Sequence, residues 1–158
     1  MVQRVPITAE GFRKLREQLR HIKEVERPQN VRDIEVARSH GDLSENAEYH
    51  AAKERQGFLD AQMKILEDKV GRAEVIDPST LSGERVVFGA TVHLEDMDND
   101  ATVIYQIVGD DEADPAQGRI SLSSPVSRAL IGKSVGEEVR VRTPGGVRIY
   151  EIIDVEFK

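Results

Sequence analysis

Near the middle of the chain, a stretch of roughly 65 residues that reads as helix on both sides is broken once, by Gly41-Asp42-Leu43-Ser44-Glu45-Asn46-Ala47. A glycine marks the break, and two carboxylates three residues apart follow it. Two long helices joined by so short a turn fold back on one another, so the break predicts an antiparallel hairpin with an acidic far tip. Carboxylates at the end of a stiff arm are placed to enter a space that the rest of the chain cannot.

The flanks carry the helical period. Thr8 is an N-cap candidate for a helix opening at Ala9, with Glu10 in the first turn where the dipole favours a carboxylate. Phe12, Leu15, Leu19 and Ile22 then recur at helical spacing, Pro28 predicts a kink or short break, and Val31, Ile34 and Ala37 resume the stripe up to Gly41. Beyond the tip, Ala47, Ala51, Phe58, Ala61 and Ile65 form the expected facing seam, widened by Leu66, Val70 and Ala73. A helix of about 30 residues would span about 45 Å. The plain reading of both stripes is coiled-coil core, since each helix alone would expose an apolar seam.

From Val75 the pattern changes to short β-rich runs separated by turns: Val86–Phe88, Thr91–Leu94, Thr102–Val108, Arg119–Leu122, Val139–Val141 and Val147–Val155. Asp98-Asn99-Asp100 and Pro144-Gly145-Gly146 are turn signals. Ser124-Pro125 predicts a capped helix through Leu130. The expected fold class is α+β: a long antiparallel coiled-coil hairpin over residues 1–76, a linker over 77–82 containing Asp77-Pro78-Ser79-Thr80, and a compact domain with a mostly antiparallel sheet over 83–158.

Charge separates the same two regions. Residues 1–75 hold 14 Lys/Arg and 14 Asp/Glu, whereas residues 76–158 hold 8 and 15 and so carry the whole net charge of −7. Tight duplex DNA binding needs a basic face and is not expected. The chain has no cysteine, which excludes disulfides and Cys-based zinc sites and favours a reducing, cytoplasmic address. Neither an 18-residue apolar run nor a leader-like apolar segment after Met1 is seen, so no membrane partner is expected.

Two readings of the tip compete. Asp42-x-x-Glu45 has capping-box spacing, and Ser44 is a rival cap that would leave both carboxylates projecting. A projecting pair can bind a divalent cation or act as base toward water, although two ligands hold Mg²⁺ weakly and the others must come from a partner. His40 and His50 flank the tip without a zinc-enzyme pattern, and Gly109-Asp110-Asp111-Glu112-Ala113-Asp114 reads as a solvated acidic turn. Lys53, Arg55 and Lys64 read as a solvated face that could alternatively guide a nucleic-acid strand toward the tip.

The run Gly41–Ala52 with Phe58 closely resembles the bacterial Gre transcript-cleavage factors. So do Phe88-Gly89-Ala90-Thr91-Val92, Val108–Asp114, Ser124-Pro125 with Ala129–Lys133, and Thr143-Pro144-Gly145-Gly146. The match covers essentially the whole chain in order, and the few basic residues of the second helix make it GreA-like. The resemblance implies a coiled coil followed by an FKBP-like domain, and a monomer that binds RNA polymerase at its secondary channel. The globular domain would dock on the rim through Ser124 and Pro125, while the hairpin reaches the active centre near the nascent RNA 3′ end. It implies that Asp42 helps coordinate a second Mg²⁺ shared with polymerase, that Glu45 orients or deprotonates water, and that Lys53 and Arg55 contact RNA. On this reading the protein binds no cofactor stably by itself and is not an enzyme alone. A channel-blocking inhibitor of the same shape and an unrelated coiled-coil adaptor are the alternatives.

Overall fold

The computed structural model describes residues 3–158, and the fold is α+β as expected. The chain divides into two compact units. One is Phe12–Arg72; the other joins the described residues up to Gly11 with Ala73–Lys158. This differs from the expected boundary at residue 76, and the reason is a strand pair that the sequence reading missed. Strand β1 (Val5–Thr8) lies parallel to β2 (Ala73–Ile76), so both ends of the helical segment are claimed by the globular unit. The expected linker is also structured: Pro78–Thr80 forms a 3₁₀ turn capped by Asp77, and Pro78 is buried against Gly89.

The helical unit takes most of α1 (Ala9–His21), a π turn at Ile22–Glu26, α2 (Arg27–Arg38) and α3 (Ala47–Arg72). Pro28 does not break the helix. The preceding turn widens instead, with the Arg27 N–H bonded to the Ile22 carbonyl five residues back, and this accommodates a residue that can donate no hydrogen bond. The widened turn inserts one residue into the period. A 3-4-3-4 seam from Phe12, Leu15, Leu19, Ile22 and Glu26 would continue at 29, 33 and 36, but the residues turned inward are Asn30, Ile34 and Ala37. Val31, expected in the stripe, is therefore exposed, and Asn30 occupies the seam by donating to the Ala52 carbonyl at 2.9 Å.

The facing seam on α3 needs correcting in part, since Leu66 and Val70, expected to widen it, do turn inward. Phe58 and Ile65 are 53% and 55% exposed, and Ala47, Ala51 and Ala61 are exposed with them. The inward residues are Ala52, Gln56, Leu59, Met63, Leu66 and Val70, with Leu59 fully buried. Their 4-3-4-3-4 spacing is the regular heptad seam. Sequence reading followed the more apolar stripe, and packing selected the one whose phase matches α2. Ion pairs cross between the two sides of the hairpin, among them Arg27–Asp60 at 3.2 Å, Lys23–Glu67 at 3.2 Å and Arg55–Glu26 at 3.1 Å. All are largely exposed and set register more than they stabilise.

In the globular unit, β3 (Thr91–Asp96), β4 (Thr102–Val108), β5 (Arg119–Ser121), β6 (Glu138–Thr143) and β7 (Gly146–Glu156) form one sheet in the order β5-β4-β3-β7-β6. Only the β4–β5 pair is parallel. Alternation along β3 and β6 sends Val92, Leu94, Val139 and Val141 inward, where they meet Val86, Ile107, Leu130, Tyr150 and Ile152. Val86–Phe88, expected as a strand, packs Val86 into this core without joining the sheet. The short helix α4 (Pro125–Leu130) closes the core through Leu130.

The acidic turn at Gly109–Asp114 is not a solvated loop throughout. The Glu112 carboxylate is nearly buried and accepts from Thr8 N at 3.0 Å, from the Thr8 hydroxyl and from Gly109 N at 2.9 Å. Thr8 in turn caps α1 by accepting from Gly11 N at 3.1 Å. Gly11 and Gly109 leave room for this knot: a Cβ at Gly11 would fall on the Glu112 side chain, and one at Gly109 would lie 2.8 Å from the Pro6 carbonyl.

Candidate functional site: the hairpin tip and the α4 loop

The tip begins where α2 stops. His40 N and Gly41 N bond back to Ala37 and Arg38 carbonyls, and Gly41 then turns the chain at φ 106°, a region that side-chain-bearing residues avoid. The chain re-enters helix at Ala47, and the residue that organises the re-entry is Asn46. Its Oδ1 accepts from Tyr49 N at 3.0 Å, which caps α3, and its Nδ2 donates to the Ala37 carbonyl at 2.6 Å, which closes the end of α2. One amide joins both helix ends. Neither Asp42 nor Ser44, the sequence candidates, is the cap. The missed signal was available: asparagine directly before the resumed period is among the strongest N-cap residues.

With the cap supplied by Asn46, the two carboxylates are not needed to start the helix. Asp42 is exposed and turns on itself, its Oδ1 accepting from Ser44 N at 3.0 Å and the Ser44 hydroxyl at 2.8 Å. The Ser44 hydroxyl first and its N–H second hold the Asp42 carboxyl below the ordinary carboxylate value, so it is ionised at neutral pH. Glu45 is exposed, and its carboxylate has no hydrogen-bond or ion-pair partner among the described residues. The His50 ring nitrogen reaches the Ser44 carbonyl at 3.3 Å and braces the turn from α3. The pair offers exposed carboxylate oxygens, the donor type that suits Mg²⁺, yet two side chains fall well short of an octahedral set.

Lys53 and Arg55, expected to act together, are not brought together. Residues two apart on a helix project to different sides. Lys53 donates to Gln56 at 2.9 Å, whereas Arg55 pairs with Glu26 across the hairpin and lies over the Phe58 ring at 5.9 Å. In the globular unit, Ser124 caps α4, accepting from Ser127 N at 3.2 Å, and Pro125 occupies the first helical position. Ser124 is thus half-buried and committed to the fold, while Pro125 is exposed beside it. Asp110 anchors the approach to this loop by accepting from the hydroxyls of Ser121 and Ser123.

No helix among the described residues is long and apolar enough to cross a membrane. A family model described as "Transcription elongation factor, N-terminal" matches residues 5–75, and one described as "Transcription elongation factor, GreA/GreB, C-term" matches residues 81–157. Transcription elongation factor GreA of Caulobacter vibrioides is 59% identical over 156 residues, covering 99% of each chain. Transcription elongation factor GreA of Syntrophotalea carbinolica is 54% identical over 157 residues, again covering 99% of each. Among solved structures, GreA factor homolog 1 (Gfh1) of Thermus thermophilus is similar at a TM-score of 0.44 and 27% identity, over 98% of this chain and 99% of that one. With both halves of the family matched in order and relatives above half identity end to end, the chain belongs to the GreA/GreB family of transcription elongation factors.

Proposed function

We propose that this elongation factor works by presenting Asp42 and Glu45 to the active centre of RNA polymerase, where they stimulate cleavage of the nascent RNA 3′ end in backtracked complexes. The observation that carries the reading is the division of labour at the tip: Asn46 caps the helix, and both carboxylates stay exposed, Glu45 with no internal partner and Asp42 with only Oδ1 engaged, by Ser44. Asp42, ionised and held by Ser44, would add an oxygen ligand to Mg²⁺ shared with the polymerase. The ion, when bound, lowers the pKa of coordinated water and stabilises developing negative charge. Glu45, with no internal partner, is free to orient water or accept its proton.

The α3 helix of 26 residues is about 39 Å long, which gives the arm the reach of a narrow channel. Docking on the polymerase rim is assigned to the α4 loop, with Pro125 as the accessible contact and Ser124 as the residue that shapes it. Lys53 and Arg55 are the cations assigned to RNA, each now in an exposed contact, with Gln56 and with Glu26, that a phosphate could replace. The test uses the full chain on stalled elongation complexes. Asp42→Ala and Glu45→Ala should each abolish stimulated cleavage while competing for polymerase as well as the parent protein does. Near-normal cleavage by both variants would overturn the reading, and an unaltered protein that binds without stimulating cleavage would identify a channel-blocking inhibitor instead.

A further inference from the structure

On the outer face of the sheet, far in sequence from the tip, three metal-ligating side chains converge. His93 on β3 is directly opposite Asp154 on β7, and Thr91, two residues earlier, is opposite Glu156. Cross-strand partners share a face, and so do residues two apart on one strand, so His93, Asp154 and Glu156 project together. One irregularity makes this possible. The register shifts between His93 and Leu94, whose partners are Asp154 and Ile152, leaving Ile153 as an extra residue. Ile152 is buried in the core, and without the bulge Asp154 would share its face and point inward. The bulge turns Asp154 outward, onto the face of His93.

The ligand atoms of the three side chains lie within 4.8 Å of one another. His93 Nε2 and Glu156 Oε2 stand 3.2 Å apart with both atoms buried from solvent, and they pair with one another while the Lys158 ammonium reaches the same Glu156 oxygen at 3.3 Å. A divalent ion between them would take the imidazole and carboxylate lone pairs at once, in place of these exchangeable contacts. Asp154 accepts from Val155 N at 2.9 Å through Oδ1 alone, which leaves its second oxygen for an ion. Lys158 is an exposed side chain, so an ion can displace its ammonium from Glu156.

We propose that His93, Asp154 and Glu156 form a binding site for a divalent transition-metal ion of the zinc class. One imidazole nitrogen and two carboxylate oxygens make a three-ligand set that leaves a position for water, and the nitrogen disfavours Mg²⁺. Zinc–ligand distances of about 2.0–2.2 Å require the group to contract by roughly 1 Å, which the exposed Asp154 can supply by rotation. The bound ion would fasten the end of β7 to β3. It is independent of the tip and of any Mg²⁺ held there.

Zn²⁺ would be titrated calorimetrically into the full chain carrying His40→Ala and His50→Ala, which removes the two imidazoles beside the tip. One saturable site is expected, and adding His93→Gln or Glu156→Gln should weaken it by about tenfold or more. Amide resonances of His93 and of residues 154–156 should shift on binding, while those of the tip stay in place. Circular dichroism of each variant checks the fold, and the two substitutions lie on different strands, so one misfolded variant leaves the other to decide. Absence of saturable binding, or binding that both substitutions leave unchanged, would overturn the proposal.

Discussion

The tip depends on one side chain, and removing it has a calculable cost. Asn46→Ala deletes the N-cap of α3, typically worth about 1 kcal/mol, and the bond from Nδ2 to the Ala37 carbonyl, worth about another 1 kcal/mol. The expected loss is therefore about 2 kcal/mol, concentrated at the turn because the seam below it is untouched. At about 1.4 kcal/mol per factor of ten, amide exchange at Tyr49 should accelerate roughly 30-fold, while exchange near Leu59 changes little. Asn46→Asp separates the two terms. It keeps an acceptor for Tyr49 N and adds a negative charge at a helix N-terminus, but it has no donor for Ala37, so it should lose about half as much. Hydrogen exchange read by NMR on the full chain checks both variants. Protection at Tyr49 unchanged in Asn46→Ala, or equal losses in the two variants, would refute the claim that one amide ties both helices.

Leu59→Ala should cost about 2–5 kcal/mol in urea denaturation because Leu59 is fully buried, whereas Phe58→Ala, at 53% exposure, should cost well under half of that. The opposite order would restore the more apolar stripe as the seam. Gly41→Ala should destabilise the hairpin by about 1–2 kcal/mol through backbone conformation alone, because a Cβ there meets no atom; denaturation midpoints of Gly41→Ala and Gly57→Ala, a helical site with equal space, separate strain from crowding. The Ser121 and Ser123 hydroxyls hold the Asp110 carboxyl below its ordinary value. A carboxylate depressed in the folded state contributes stability that is complete above the ordinary carboxylate pKa and disappears as pH falls through the folded one. Ser121→Ala should raise the Asp110 pKa in a carboxyl-detected NMR titration and narrow that window; an unmoved titration would assign the shift elsewhere.

Much of this protein was legible in the residue order because the relevant physics is local. The hairpin follows from helical period on both sides of Gly41, the α4 cap from Ser124-Pro125, and the β4 strand from alternation between Thr102 and Val108. The tip carboxylates stand out because their spacing coincides with the break. What local pattern did not determine was phase and partnership. The apolar stripe through Phe58 and Ile65 is as periodic as the true seam through Leu59 and Met63, and only contact with α2, itself shifted one residue by the π turn at Ile22–Glu26, selects between them. The β1–β2 pair joins residues almost seventy positions apart, and neither short strand announces its partner. Glu112 looked like one more solvated acid until the fold brought Thr8 to it, 104 residues away in the chain. His93 and Glu156 belong to one cluster only because a bulge reset the register of the last strand. Short-range energies are written in neighbouring residues; the register between distant segments is settled by which surfaces can be buried together, and that exists only once the chain has folded.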